Sequence, residues 1–201
     1  SDRRRDLTVY GPTGNHLMPA TDRFLQALFG SNQGAFRYLS SYLTGEDDYR
    51  LHAVDVPVED KEIRQVFELT GLHFGAVPVH HGPIPALAWR VDVAGKSLVF
   101  SGDMNGDNHT LEGLANGADL LLAHHAIPEG AKGVARNLHM PPSVIGRIAG
   151  LAQVKQLVLS HRMRRTLGKE KESERIIREH YAGPLAFAED GQCFAAGGSP
   201  D

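Results

Sequence analysis

The sequence contains very little cysteine: Cys193 is the single one among 201 residues. One cysteine excludes an internal disulfide and a cysteine-rich zinc site. Long apolar runs are also lacking, because no stretch reaches the roughly 18 residues that a membrane-spanning helix needs. The formal net charge of -3 provides no general attraction to nucleic acid or to an anionic membrane. These absences favour a globular protein that acts on neither a polyanion nor a lipid surface.

Potential metal ligands are present instead, at the ends of three short apolar runs. His81 follows one such run, Asp103 follows residues 97–100, and His161 follows residues 156–160. In layered α/β folds functional groups gather where strands end. A set of histidine and carboxylate ligands suits zinc, manganese or iron. The spacing therefore predicts a metal centre, and we expect it to belong to a metal-dependent hydrolase.

The hydrophobic pattern changes period along the chain, from a β-rich first half to alternating helices and strands in the second. This alternation predicts an α/β fold. The predicted strands cover residues 7–10, 51–58, 65–69, 73–79, 87–93, 97–100, 120–123 and 156–160, followed by a hairpin of 185–188 and 192–195 around Asp190-Gly191. The predicted helices cover residues 19–29, 35–43, 110–116, 141–152 and 169–181.

Five segments, in this order, resemble the metallo-β-lactamase superfamily, and more narrowly its branch of tRNA 3′-processing endonucleases (tRNase Z) and arylsulfatase-like hydrolases. The resemblance implies a metallo-β-lactamase-like αββα sandwich from which the N-terminal strands are missing. It also implies cleavage of an ester-like bond (phosphodiester, sulfate ester or lactone) by metal-activated water. The segments are LTVYGP at 7–12, HGPIPALAWR with GKSLVFSGD at 81–103, GADLLLAHHA at 117–126, NLHMP at 137–141 and LVLSH at 157–161.

The metal ligands that the resemblance implies are the three residues already singled out. His81 is expected to bind the first of two divalent metals, Asp103 to bridge both, and His161 to bind the second. Zinc is the first choice of metal, with manganese or iron as alternatives. His80 would replace His81 if the register of that segment shifted by one residue.

Three further histidines receive roles from the resemblance. His139 is expected to be catalytic, near the leaving group or the oxyanion, and His124 and His125 are expected to be supporting residues behind the ligands. His125 stands where the nuclease branch has a glutamate that orients the histidine corresponding to His139. An imidazole cannot replace a carboxylate in that task, which weakens the assignment to the nuclease branch.

The main signature of the superfamily, His-x-His-x-Asp-His, does not occur in the sequence. We expect residues 1–201 to be a single metallo-hydrolase-like domain and the C-terminal two-thirds of a longer chain. A natural variant with a vestigial site, serving as a non-catalytic interaction or structural module, is the alternative. In either case the isolated chain is expected to be inactive, or to fold only in association with a partner or a second copy that covers the apolar sheet left exposed.

The expected partners follow from composition. The basic side chains of residues 162–178 alternate with glutamates, which is typical of a solvated helix face. We therefore expect a small-molecule substrate and neither nucleic acid nor a membrane. The compartment stays open between the cytoplasm and the bacterial periplasm, because one cysteine does not separate them and the first residues lack the apolar stretch of a signal peptide.

Overall fold

The computed structural model describes residues 4–196. The chain divides into two compact units, the first ending at Glu59 and the second beginning at Asp60. The prediction that the whole chain is one domain stays a prediction. No helix within residues 4–196 is long and apolar enough to cross a membrane.

The first unit is built around two parallel strands, in which Leu7 pairs with Leu51 and Pro12 with Val56. Its elements are β1 (Leu7–Pro12), α1 (Thr21–Phe29), a 3-10 turn (Arg37–Leu39), α2 (Ser41–Thr44) and β2 (Leu51–Val56). The helix predicted over residues 35–43 is wrong, because only two short helical turns form there. Gly45 ends the second turn in the left-handed conformation, with φ 82°.

The second unit contains a seven-stranded sheet whose strands lie in the order of the sequence. The sheet is antiparallel from β3 to β6 and parallel from β6 to β9. Short connections join the antiparallel strands, whereas crossovers of many residues join the parallel ones. The strands are β3 (Arg64–Leu69), β4 (Leu72–His81), β5 (Ile84–Val93), β6 (Lys96–Phe100), β7 (Leu120–His124), β8 (Leu157–Ser160) and β9 (Leu185–Phe187).

Helices cover one face of this sheet, and the core lies between the two layers. Successive strand residues point to opposite faces, so Val99 is fully buried while its neighbour Phe100 is 39% exposed. The helices are α3 (Leu111–Leu114), α4 (Val134–Leu138), α5 (Pro142–Leu151) and α6 (Glu170–Ile177). The core residues with the least exposure include Val77, Ala88, Val99, Leu111, Ala149, Leu157, Leu159 and Ile177.

The end of the sheet differs from the prediction. Leu185 pairs in parallel with Leu157 on β8, and the backbone N–H of Ala188 donates to the carbonyl of Leu159. Residues 192–195 form no strand. The Asp190-Gly191 turn is present, since the N–H of Gln192 donates to the carbonyl of Glu189. The predicted final hairpin is therefore wrong, because β9 takes its ladder from β8 rather than from the residues after the turn.

Candidate metal centre

The sheet topology brings the strand-end ligands to one edge. β6, β7 and β8 are parallel, so their carboxyl ends meet at the same edge of the sheet. β4 points the same way, because it is antiparallel to β5 and β5 is antiparallel to β6. Five side chains converge there: His81, Asp103, His124, His139 and His161.

Asp103 lies at the centre of this cluster. Its Oδ1 is 2.9 Å from Nδ1 of His124, 3.3 Å from Nδ1 of His139 and 3.4 Å from Nε2 of His161. Its Oδ2 is 3.9 Å from Nε2 of His81. Two groups of three residues therefore share Asp103, with the ligand atoms of each group within 4.8 Å of one another. We call His81, Asp103 and His139 the first triad, and Asp103, His124 and His161 the second triad.

The Asp103 carboxyl is held in its charged form. Burial alone would raise its pKa, but the hydrogen bond from His124 and the charges of His161, His124 and His139 outweigh burial and lower that pKa to about 2. The carboxylate is thus ionised throughout the neutral range. A permanently charged carboxylate surrounded by four imidazoles, three near Oδ1 and one near Oδ2, is suited to bridge two cations.

The imidazole of His81 has a defined orientation. Its Nδ1–H donates to the backbone carbonyl of Leu138 at 2.7 Å, which leaves the lone pair of Nε2 facing Asp103. A hydrogen bond of this kind from the second ring nitrogen to a carbonyl is typical of metal-bound histidine. The residue after it, Gly82, adopts φ 57°, and a Cβ there would lie 2.8 Å from Leu138 and 2.9 Å from Asn137. Glycine is therefore required for the close approach of the two loops.

His139 supplies the observation that tests whether these residues fit a metal. Its Nδ1 is buried and has no hydrogen-bond partner among the residues that the structure describes, although it lies 3.3 Å from Asp103 Oδ1. Burial, together with the charges of His81, His161 and Arg165, lowers the pKa of His139 in spite of the attraction of Asp103. A neutral ring nitrogen without a partner beside an ionised carboxylate costs free energy. A cation between them would satisfy both groups, so the donor set fits a divalent metal.

A family model described as "Beta-lactamase superfamily domain" matches residues 18–162. The chain belongs to the beta-lactamase superfamily. Members of this superfamily are hydrolases, and the metallo-β-lactamase fold family is metal-dependent. No curated protein matches the sequence.

Solved structures share the fold. The metallo-beta-lactamase fold protein YhfI from Bacillus subtilis has a TM-score of 0.64 at 16% identity, over 93% of this chain and 64% of that one. The short form of human tRNase Z has a TM-score of 0.64 at 18% identity, over 95% of this chain and 67% of that one. A diphosphatase of the PhnP family has a TM-score of 0.51 at 16% identity, over 94% of this chain and 71% of that one. The α/β metallo-β-lactamase fold expected from the sequence is therefore confirmed, and this chain spans about two-thirds of the length of these relatives.

The structure places His124 and His80 relative to the two triads. The resemblance implies that His124 supports the ligands from behind, yet it donates directly to Asp103 and belongs to the second triad. His80 belongs to neither triad, since its Nδ1 accepts from Nδ2 of Asn105. The pairing of His81 with Ile84 across the Gly82 turn sets the register that decides between His80 and His81.

His125 is placed away from the triads. The side chain is fully buried beside Phe187, with ring centroids 5.9 Å apart, and neither ring nitrogen has a hydrogen-bond partner within residues 4–196. Burial and the nearby Arg162 charge lower the pKa of His125 to about 4. The ring is therefore neutral at pH 7, and it makes no hydrogen bond to His139 that would orient it.

A cavity of about 780 Å³ adjoins the second triad at His161. His161 has φ 51°, a left-handed conformation that is uncommon for a non-glycine residue. Apolar side chains and two carboxylates form much of the wall. The lining residues include Leu122, Leu167, Phe194, Arg162, Glu189 and Asp190.

Proposed function

We propose that this chain belongs to a metal-dependent hydrolase that cleaves an ester-like bond (phosphodiester, sulfate ester or lactone) in a small molecule. The observation that carries the proposal is the pair of triads sharing one ionised carboxylate, with the unpartnered Nδ1 of His139 beside it. His81, Asp103 and His161 are the proposed ligands, and Asp103 is the proposed bridge. When bound, two divalent metals supply Lewis-acid polarisation of the substrate and a water of lowered pKa.

The residues of the chain prepare the site for this chemistry. Asp103 remains charged because its pKa is about 2, so it neutralises cations without first losing a proton at neutral pH. His81 is held in the tautomer that leaves Nε2 free to bind. His139 is neutral because burial lowers its pKa, so its ring offers a lone pair to the site. The metal is proposed to be zinc, since this ion prefers histidine and carboxylate ligands in hydrolases.

The cavity beside His161 supports a small substrate. Its volume of about 780 Å³ falls within the roughly 300–1,000 Å³ of ligand pockets. Arg162 contributes little free positive charge, because it is paired with both Glu170 and Glu189. With Asp190 also in the wall, the cavity is unfavourable for the repeated negative charges of nucleic acid.

Metal binding tests the proposal directly. The metal-free chain is dialysed against Zn²⁺ or Mn²⁺, and bound metal is measured by elemental analysis for the wild type and for Asp103→Asn. We expect Asp103→Asn to abolish binding at both triads, because it removes the charge but keeps the shape. Asn108→Asp, in the same loop, is the control with unchanged affinity. Equal metal binding by wild type and Asp103→Asn contradicts the proposal.

Hydrolysis is tested on p-nitrophenyl phosphodiesters, sulfate esters and an aryl lactone. The sequence contains no His-x-His-x-Asp-His, so we expect the isolated chain to be inactive and the complete protein to hold about two metals and to turn over one of these classes. Full activity of the isolated chain with two metals would contradict the first expectation. A complete protein without metal would favour the non-catalytic module.

A separate comparison distinguishes a catalytic role of His139 from a role as a metal ligand. If His139 acts on the leaving group, as the resemblance implies, His139→Ala reduces turnover and keeps metal affinity. If it completes the first triad, His139→Ala reduces metal affinity itself. Measuring both quantities on the same preparation separates the two roles.

A further inference from the structure

Asn105 lies two residues after Asp103 and is fully buried. It is neither charged nor a member of either triad. Burial of an amide is costly unless its hydrogen-bonding groups are used. The partners of this amide therefore indicate what keeps it in the core.

The side-chain nitrogen of Asn105 joins the end of β4 to α4, two elements that do not contain it. Nδ2 donates to Nδ1 of His80 at 2.7 Å and to the backbone carbonyl of Asn137 at 2.9 Å. His80 immediately precedes His81, and Asn137 is two residues before His139. One carboxamide thus connects the segments that carry all three members of the first triad.

The remaining polar groups of Asn105 complete the connection. Its backbone N–H donates to the carbonyl of His80 at 2.8 Å, and its backbone carbonyl accepts from Arg136 at 3.1 Å. Its Oδ1 accepts from the N–H of Asp107 at 2.9 Å, which stabilises the turn after Asp103. The three hydrogen-bonding sites used on the carboxamide are two N–H donors and one acceptor. A carboxylate at this position would lack the donors, and an aliphatic side chain would lack all three.

We infer that Asn105 is a positioning residue that sets the spacing of His81, Asp103 and His139 and thereby the metal affinity of the first triad. The inference rests on the proposed metal-dependent function, but it concerns the ligand geometry rather than the reaction. Second-layer contacts of this kind change metal affinity by about 10- to 100-fold when they are removed. Within residues 4–196 the hydrogen bonds of the Asn105 carboxamide reach neither His124 nor His161, so affinity at the second triad, which shares only Asp103 with the first, should depend much less on this residue.

The test uses Co²⁺ and Zn²⁺ titration of the metal-free chain, followed by Co²⁺ absorption and equilibrium dialysis. Asn105→Leu keeps the branching of the side chain and removes every side-chain hydrogen bond, and Asn105→Asp removes the donors. Both are expected to weaken binding at the first triad about 10- to 100-fold. Asn108→Leu and Asn108→Asp are the matched controls in the same loop and should stay within about twofold, because the carbonyl of Asn108, not its side chain, binds Lys61.

A general structural role of Asn105 is distinguished from a role in positioning the first triad by repeating Asn105→Leu in two backgrounds. In His161→Ala the first triad remains, so the loss caused by Asn105→Leu should persist. In His81→Ala the first triad is already broken, so Asn105→Leu should have little further effect on affinity. An equal loss in both backgrounds would overturn the inference.

His80→Ala keeps the test decisive if Asn105→Leu fails to fold. It removes one of the two acceptors without altering Asn105, and a smaller loss of about threefold is expected. Unchanged affinity in His80→Ala and in folded Asn105 variants would overturn the inference while leaving the hydrolase proposal intact. A wild-type chain that binds no metal would overturn both. Metal binding that depends on Asn105 in a complete protein without turnover would overturn the hydrolase proposal alone.

Discussion

The two triads share Asp103 but are held in different ways. In the first triad the side chains of His81 and His139 are 15% and 9% exposed. Their loops are tied to one another by the His81–Leu138 hydrogen bond and by the Asn105 carboxamide. In the second triad the His161 side chain is 39% exposed, and within residues 4–196 its polar side-chain contact is with Asp103.

The difference shows that strand ends are enough to gather ligands but not to fix them. His124 and His161 face each other because β7 and β8 end at the same edge, with ring centroids 4.8 Å apart. His81 ends a strand and His139 follows the end of α4, and hydrogen bonds between this strand end and this helix hold the two residues together. The first triad should therefore be preorganised for a metal, and the second should gain order when a metal binds.

The largest change in metal affinity should come from removing one histidine from each triad in turn. His161→Ala leaves the first triad complete, and we expect one metal to remain bound with little change in affinity. His81→Ala leaves only the more exposed second triad, and we expect affinity to fall by more than about 100-fold, because a direct ligand contributes more than an outer contact does. Equilibrium dialysis with Zn²⁺ measures both variants.

The reverse result would break the comparison. If His161→Ala loses more affinity than His81→Ala, order in the absence of metal does not decide which site is stronger. His109→Ala, an exposed histidine outside both triads, is the control for losing an imidazole.

The next largest effect is on the pH dependence of stability and concerns the buried His125. Its backbone N–H donates to the carbonyl of Ser160, beside the second triad. Its pKa of about 4 lies below the ordinary 6.5, so the fold favours the neutral ring. This contribution to stability is complete above pH 6.5 and is lost as the pH falls through 4. We expect the loss to be on the order of 3 kcal/mol.

His125→Phe provides the measurement, because the phenyl ring fills the site and does not titrate. Urea unfolding of the metal-free wild type and variant is compared between pH 7 and pH 4. The wild type should lose more stability than the variant over this range. If the two pH dependences were parallel, His125 would become protonated without unfolding this region, and the surroundings of the second triad would be more open to water than this structure indicates.

The smallest effect is expected for Asp119, a buried carboxylate just before β7 that contrasts with Asp103 because it lies outside both triads. Asp119 is buried, accepts from the N–H of Ser97 at 2.9 Å and from Lys155 at 3.0 Å, and its pKa is lowered to about 2 by Lys155 and Ser97. Ser97 and Lys155 belong to neither triad, so Asp119→Asn should reduce the free energy of unfolding by about 2 kcal/mol. Metal affinity should not change. A loss of metal affinity in dialysis would show that the two ends of the strands are coupled.

Much of this arrangement could be predicted because strands reveal themselves by local pattern. The apolar runs before His81, Asp103 and His161 are short-range signals, and all three end at the predicted edge of the sheet. The strand partners of β9 could not be predicted, because Asp190-Gly191 forms its turn whether or not a second strand follows. Whether a turn becomes a hairpin depends on which neighbouring strand provides the hydrogen bonds.

The site itself was only partly accessible from the sequence. The place of His124 in the second triad follows from the register of β7 against β8, in which His124 pairs with Ser160, the residue before His161. Asn105 carried no signal, since an asparagine after a strand is typical of an ordinary turn. Its role emerges only when loops distant in sequence are brought together in the fold.

β6 is the strand that pairs in both ways, antiparallel with β5 and parallel with β7. The antiparallel side forms through contacts that are close in sequence, such as His81 with Ile84, whereas the parallel side joins Leu121 to Leu157. Local pairings form faster than distant ones. We therefore expect Asp103 to lie between a part of the sheet that forms early and a part that forms late, so that a site using His124 or His161 is complete only once β7 has paired with β6 and β8 with β7.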